Sequence, residues 1–223
     1  MKKIVLKVDA VIFDMDGVIT NTMPDHFRAW HRIFAGYGIH VSHLDVYARE
    51  GQRGISSVLE IFRERKKAID LREAKRILAA KERLFKRIAK TRFIPGARRF
   101  LRVLSKNNFK LALVTGTARH EVHKILPQHL YNLFSAIVTG SDVKNGKPHP
   151  EPFLLALKKL GVAPRRAVVI ENAPFGIESA QKAGLKCFAL ETSLKYPYLD
   201  KADAIFQSIK DLLERVEFKV DML

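Results

Sequence analysis

Five short, nearly continuous runs of apolar residues punctuate this chain, and they limit the folds open to it. They occupy residues 8–13, 111–114, 136–138, 167–170 and 187–190, and β-branched side chains recur in most of them. A strand with no polar alternation has no face left for water, so each run reads as a strand buried on both sides, as in a parallel sheet. Helical patterns separate them. Pro95 and Gly96 open a segment with Ala97, Phe100, Leu101 and Leu104 at helical spacing. Residues 150–160 carry Phe153, Leu154, Leu157 and Leu160 before Gly161, a C-terminal stop signal. Ser208-Ile209-Lys210-Asp211 has capping-box form ahead of Leu212, Leu213 and Val216. Strand and helix in alternation predict an α/β fold with a doubly wound, Rossmann-like parallel sheet.

Residues 20–92 break the alternation. Phe27, Trp30, Phe34 and Tyr37 fall on one helical stripe, and Ala74, Ile77, Leu78, Leu84, Phe85 and Ile88 on another. The spacing predicts an all-helical cap of residues 20–92 inserted into an α/β core of residues 1–19 and 93–223. An insertion at the carboxyl end of a sheet strand lies over the crevice where such folds bind ligands. The net charge of +17 is concentrated there, with 17 Lys or Arg against 8 Asp or Glu in residues 20–92. It fits nucleic-acid binding, attraction of small anions, or a solvated basic surface. Glu64, Glu73 and Glu82 are interspersed among the cations and aromatic interleaving is sparse, which favours the solvated surface over a nucleic-acid partner.

Other classes are excluded more simply. No uncharged apolar run approaches the roughly 18 residues of a membrane span. Lys7 and Asp9 interrupt the stretch after Lys2 and Lys3 too early for a secretory signal, so a cytoplasmic protein is expected. The single Cys187 rules out an intrachain disulfide, and its apolar neighbours make it a small core residue rather than a nucleophile.

The first strand ends in Asp14-Met15-Asp16-Gly17. Two carboxylates two residues apart at a strand end point the same way if extended geometry persists. Their repulsion calls for a cation or a shared proton. One ionised carboxylate can then attack an electrophile while the other handles a proton. Alone, the pair reads equally well as a polar turn. Later strand ends add to it: Thr115-Gly116-Thr117 after Val114, Lys147 in Gly146-Lys147-Pro148, and Glu171-Asn172 after Ile170. Thr115 and its neighbours can hold an anion, Lys147 can neutralise nucleophile and phosphate, and the last pair supplies hard oxygen ligands suited to Mg²⁺.

The ordered motifs DMDGVIT, LVTGT, GKPHPEPF and VVIENAPFGIESAQKAG resemble the haloacid dehalogenase superfamily, in particular its β-phosphoglucomutase-like branch. The resemblance implies an aspartyl-phosphate on Asp14, with Asp16 as general acid and base and Thr115 and Lys147 holding the transferring group. It implies Mg²⁺ bound by Asp14, the Asp16 carbonyl, Glu171 and Asn172. Asn172 stands where the family often has Asp, so weaker metal affinity is expected. In the cap, His26 matches a hinge histidine that assists catalysis, and the segment around Gly51, Gln52 and Arg53 matches the substrate-specificity loop. Gly116 and Thr117 complete the expected substrate contacts. Glu50 and Gly54 stand where the mutase has a lysine and an arginine, although a one-residue shift would let Arg49 or Arg53 serve. The reading that results is a monomeric, Mg²⁺-dependent phosphatase of a small phosphorylated metabolite. A phosphosugar mutase and a nucleic-acid-binding protein on an enzyme fold are the alternatives.

Overall fold

The computed structural model describes residues 3–90 and 92–220; Lys2, cited above among the leading charges, lies outside them. Along the chain come β1 (Ile4–Lys7) and β2 (Ala10–Phe13), then four helices, α1 (Met23–Ala35), α2 (His43–Tyr47), α3 (Gly54–Glu64) and α4 (Leu71–Ile88). Next are α5 (Ala97–Lys106), β3 (Lys110–Val114), α6 (Arg119–Ile125), α7 (Gln128–Tyr131), β4 (Ala136–Val138) and α8 (Glu151–Leu160). The chain continues through β5 (Ala167–Glu171), α9 (Pro174–Lys182), β6 (Lys186–Leu190), β7 (Ala204–Phe206), α10 (Ile209–Arg215) and β8 (Val216–Lys219).

Six strands form one wholly parallel sheet in the order β4-β3-β2-β5-β6-β7. Its period of two divides the core into two layers. Ala10, Ile12, Ala112, Val114 and Val169 pack with Phe153 and Leu157 of α8 and Ile177 and Ala180 of α9. Val11, Phe13, Leu111, Leu113 and Ile170 pack on the other face with Phe100 and Leu104 of α5, Val122 of α6 and Leu212 of α10. Every residue of β2 is buried, as a strand covered on both faces requires. Because β3 and β5 flank β2 while the chain leaves for opposite edges, the crevice above β2 is the switch point of the sheet.

The structure departs from the sequence reading at several elements. The first sheet strand starts at Ala10, not Val8: the Val8 and Asp9 amides donate outside the sheet, to the Lys219 and Arg166 carbonyls. The residues before it form β1, which pairs in parallel with the unforeseen β8 as a separate two-stranded sheet. Val216 therefore begins a strand instead of extending the last helix. Ser208 does cap α10, accepting from the Asp211 amide at 3.1 Å, but the Asp211 carboxylate receives the Gln207 amide in place of a reciprocal bond to Ser208. Helix α1 stops at Ala35, so Tyr37 lies beyond it and donates to Glu73 at 2.7 Å. Cys187 is fully buried in the apolar core.

The four helices between β2 and α5 pack chiefly through α1 against α4. Trp30, Phe34, Val58, Ile61, Ala74 and Ile77 share their buried layer. The connections entering and leaving this insertion run side by side, joined by Asn21 N–H to Arg92 O at 2.8 Å and Ile94 N–H to Ile19 O at 3.0 Å. Buried Asp25 ties them further, accepting from the Lys90 amide at 3.2 Å and pairing with Arg92 at 3.3 Å. No described helix is long and apolar enough to cross a membrane.

Leu111 has no exposed surface, whereas Val103 on α5 is 44% exposed. Leu111→Ala is expected to cost about 2–5 kcal/mol in urea unfolding, against a change within about 0.5 kcal/mol for Val103→Ala. Equal effects at the two positions would contradict this layering.

Candidate active site

Asp14 follows the last residue of β2, Thr115 that of β3, and Glu171 closes β5, while Lys147 comes from the loop after β4. Parallel register brings these carboxyl ends level, since Phe13 pairs with both Leu113 and Ile170. Lys147 is 1% exposed and joins them. Its Nζ donates to Asp14 Oδ1 at 2.7 Å, Glu171 Oε1 at 2.6 Å and the Val114 carbonyl at 3.2 Å. Burial alone would lower the lysine's proton affinity, but the charges of Asp14 and Glu171 overturn that and hold it above the usual lysine range. Asp14 is shifted upward as well, but by burial. Its complete burial pushes the carboxyl well up despite Lys147, and Glu171 and Asp16 add to the push.

Asp16 is fully buried, and its proton affinity is nevertheless lowered from the ordinary carboxylate value. Burial works against the charge, but His26, Thr22 and Thr117 together outweigh it. Thr117 Oγ1 donates to Asp16 Oδ2 at 3.1 Å, and the Thr22 hydroxyl makes a short bond to Oδ1. His26 Nε2 stands 3.4 Å from Oδ1, without hydrogen-bond alignment. Gly17, at φ +95°, turns the chain here, and a side chain on it would collide with Asn172.

The donors available to a cation are oxygen atoms. Among the described residues no three His, Cys, Asp or Glu side chains form a metal cage. Yet two buried oxygens, Asp14 Oδ2 and Asn172 Oδ1, have no hydrogen-bond partner. Asn172 turns its Nδ2 to Ser193 Oγ at 2.8 Å, which leaves Oδ1 as the orphan. Buried acceptors are seldom left bare, and a hard cation held by carboxylate and amide oxygens satisfies both. The Asp14-Asn172 pair fits Mg²⁺ on this observation. Glu171 is occupied here, with Oε1 on Lys147 and Oε2 on the amides of Asn172 and Ala173.

The loop between α2 and α3 sits directly on this group. A Cβ at Gly51 would come 2.4 Å from Lys147 Cδ, and one at Gly116 would come 2.8 Å from the Gly51 carbonyl. Both positions need glycine for the loops to touch. Arg53 Nη1 donates across the same seam to the Lys144 carbonyl at 2.6 Å. Gln52 borders the adjoining cavity, but its amide is engaged by Glu60 at 2.7 Å and Ser57 at 2.9 Å. Thr115 is nearly buried, and its Oγ1 receives the Thr117 amide at 3.1 Å.

Lys81 was not singled out in the sequence. It lies on the buried stripe of α4 with Ala74, Ile77, Leu84 and Phe85. Its Nζ is 2.9 Å from His26 Nδ1 and lies over the rings of Trp30 and Phe85. A lysine at an apolar helical position was the signal available. Thr20 and Thr22, which close over Asp16, are marked only by their proximity in sequence.

The family model described as haloacid dehalogenase-like hydrolase matches residues 11–190. The chain belongs to this family. Among its haloacid dehalogenase-like relatives, a phosphorylated carbohydrates phosphatase of Thermotoga maritima is 37% identical over 186 residues, 80% of this chain and 83% of that protein. A beta-phosphoglucomutase of Bacillus subtilis is 33% identical over 214 residues, 91% of either chain. The crystal structure of a beta-phosphoglucomutase from Clostridium difficile superposes with a TM-score of 0.79 at 27% identity, covering 93% of this chain and 96% of that one. Within a haloacid dehalogenase-like hydrolase, the parallel sheet and the carboxylates at its strand ends are the expected frame.

Burial lowers the proton affinity of His26, and the Lys81 ammonium lowers it further. Lys81→Met keeps the apolar stem and removes the charge. The His26 ring titration, followed by NMR and assigned with His26→Gln, should then move to higher pH. An unmoved or lower midpoint would contradict the pairing.

Proposed function

We propose that this chain is a Mg²⁺-dependent phosphatase of small phosphorylated carbohydrates, working through an aspartyl-phosphate on Asp14. We further propose that residues 20–92 act as a cap over a core of residues 1–19 and 93–223. The observation that carries the reading is the buried group of Asp14, Lys147, Glu171 and Asn172, with two oxygens left for a cation. The Thermotoga maritima relative, a phosphorylated carbohydrates phosphatase, supports the substrate class.

In the first step a carboxylate oxygen of Asp14 forms a bond to phosphorus as the ester P–O bond breaks, and Asp16 gives its proton to the leaving oxygen. In the second step Asp16 takes a proton from water, the water oxygen attacks phosphorus, and the bond to Asp14 breaks to release phosphate. Lys147 and Thr115 stabilise the charge that gathers on the phosphoryl oxygens, the largest contribution such a site makes. Mg²⁺ on Asp14, the Asp16 carbonyl, Glu171 and Asn172 would supply further neutralisation of the transferring group. Two roles at one carboxylate need two proton affinities. In contact with Thr22, Thr117 and His26, Asp16 is a base. Loss of any of these contacts raises its proton affinity toward the acid form.

A mutase would need cap cations to hold a second phosphate. Arg49 is instead drawn to Glu60 and Glu64 within the cap. Arg53 is committed to the Lys144 carbonyl. Both facts favour the hydrolase.

A panel of phosphorylated sugars and polyols assayed with Mg²⁺, including β-glucose 1-phosphate with its bisphosphate primer, tests this directly. Free phosphate without isomerisation is expected, and Asp14→Asn should lower kcat by about 10³-fold or more. Isomerisation without phosphate release, or full activity in Asp14→Asn, would refute the reading.

A further inference from the structure

Phe85, whose ring stacks on His26 at 4.1 Å, also lines a second cavity that the phosphoryl chemistry does not use. This cavity measures about 330 Å³ and opens between α4 of the helical insertion and α6 of the core. That is room enough for a small organic molecule. Helical spacing brings Ala79, Glu82, Arg83 and Lys86 to it on one face of α4, and Glu121, Lys124 and Ile125 on one face of α6. Its apolar lining is Phe85 and Ile125, both nearly buried, with Ala79 and Ala89. Glu82 and Glu121 also border the cavity beside Gln52, so the two cavities lie back to back.

The charges around it are Glu82, Arg83, Lys86, Glu121 and Lys124, with His120 adding a ring nitrogen. Three cations thus face two carboxylates, and the balance is positive even with both acids ionised. Burial raises the Glu121 carboxyl and Glu82 adds to it, against Lys81 and His120. That acid therefore holds its proton more readily than an ordinary carboxylate. Among the described residues, no side-chain hydrogen bond or ion pair engages Arg83, Lys86 or Lys124. Free cations beside an apolar hollow match an amphipathic anion. Its body would leave water for the apolar lining, and its charge would take charge-assisted hydrogen bonds from the rim.

We propose that this cavity is an inhibitory effector site for a small organic anion, a carboxylate or sulfonate on an apolar body of one or two rings. This rests on the reading of residues 20–92 as a cap. The occupant spans α4 and α6, favours the arrangement in which the insertion is shut over Lys147, and slows the opening that releases phosphate.

8-Anilinonaphthalene-1-sulfonate supplies this chemistry, and N-phenyl-1-naphthylamine is the same body without the charge. In fluorescence titrations of the full chain, the sulfonate should bind about tenfold tighter than the uncharged amine. Lys86→Glu combined with Lys124→Glu should weaken the sulfonate about tenfold or more. Ala79→Trp, which fills the cavity, should weaken both probes. Arg99→Glu on α5, which does not line the cavity, should change either affinity by no more than about twofold. In 4-nitrophenyl phosphate hydrolysis with Mg²⁺, the sulfonate should lower the kcat of the wild type. Saturating ester should not relieve that loss, and the Lys86/Lys124 variant should escape it. Equal affinity for the two probes, or equal losses from Arg99→Glu and the rim pair, overturns the site. So does unchanged binding in the folded rim and Ala79→Trp variants. Inhibition relieved by excess ester, or no inhibition at saturating sulfonate, overturns the effector role. A wild type that releases no phosphate from any ester refutes the hydrolase reading, and the titrations still decide the site.

Discussion

The Lys147 ammonium, buried between Asp14 and Glu171, is the interaction around which the rest of the site is built. Three charges are out of water, and such a group is costly unless each partner is held in good geometry. The holding is done by the sheet. Strands β2 and β5 are adjacent and in register, so their carboxyl ends present Asp14 and Glu171 to one point. Two carboxylates against one ammonium leave an excess of negative charge, and Asp16 stands close by. Orphaned oxygens on Asp14 and Asn172 are the local expression of that imbalance. A fold that pays this electrostatic cost at a switch point has a site that gains by binding a cation and an anionic ester together.

Closure of the helical insertion depends on the absence of side chains. Gly51 and Gly116 let two loops meet backbone to backbone over Lys147, and Arg53 bonds across the same seam. Water is thereby kept from the charged group, which strengthens every electrostatic interaction within it. The same closure carries Glu50 to the wall of the remaining cavity. The strand ends and the insertion loop thus meet at one contact, with the charged group on one side and the cavity on the other.

Much of this was legible in the sequence because it is local. The apolar runs read at residues 8–13, 111–114 and 167–170 fit strands covered on both faces, and Asp14, Thr115 and Glu171 follow them directly. What was not legible is non-local. Strands β1 and β8 are far apart in sequence and pair with each other outside the main sheet, so neither shows a pattern that a short window detects. Gln52 lies in the loop between α2 and α3, where its amide is taken up by Glu60 and Ser57, a pairing no motif describes. Lys81 was hidden among the many cations of its helix, and its place on the buried stripe mattered more than its charge. It reaches His26 from 55 positions away, and through that ring it bears on Asp16.

The central claim is that Asp14 accepts the phosphoryl group. Rapid quenching during turnover, followed by borohydride reduction and peptide mass spectrometry, tests it most directly, because an acyl phosphate on aspartate is reduced to homoserine. The account predicts homoserine at position 14 and unmodified aspartate at position 16. Reduction at another residue, or none under conditions where phosphate is being released, would contradict it.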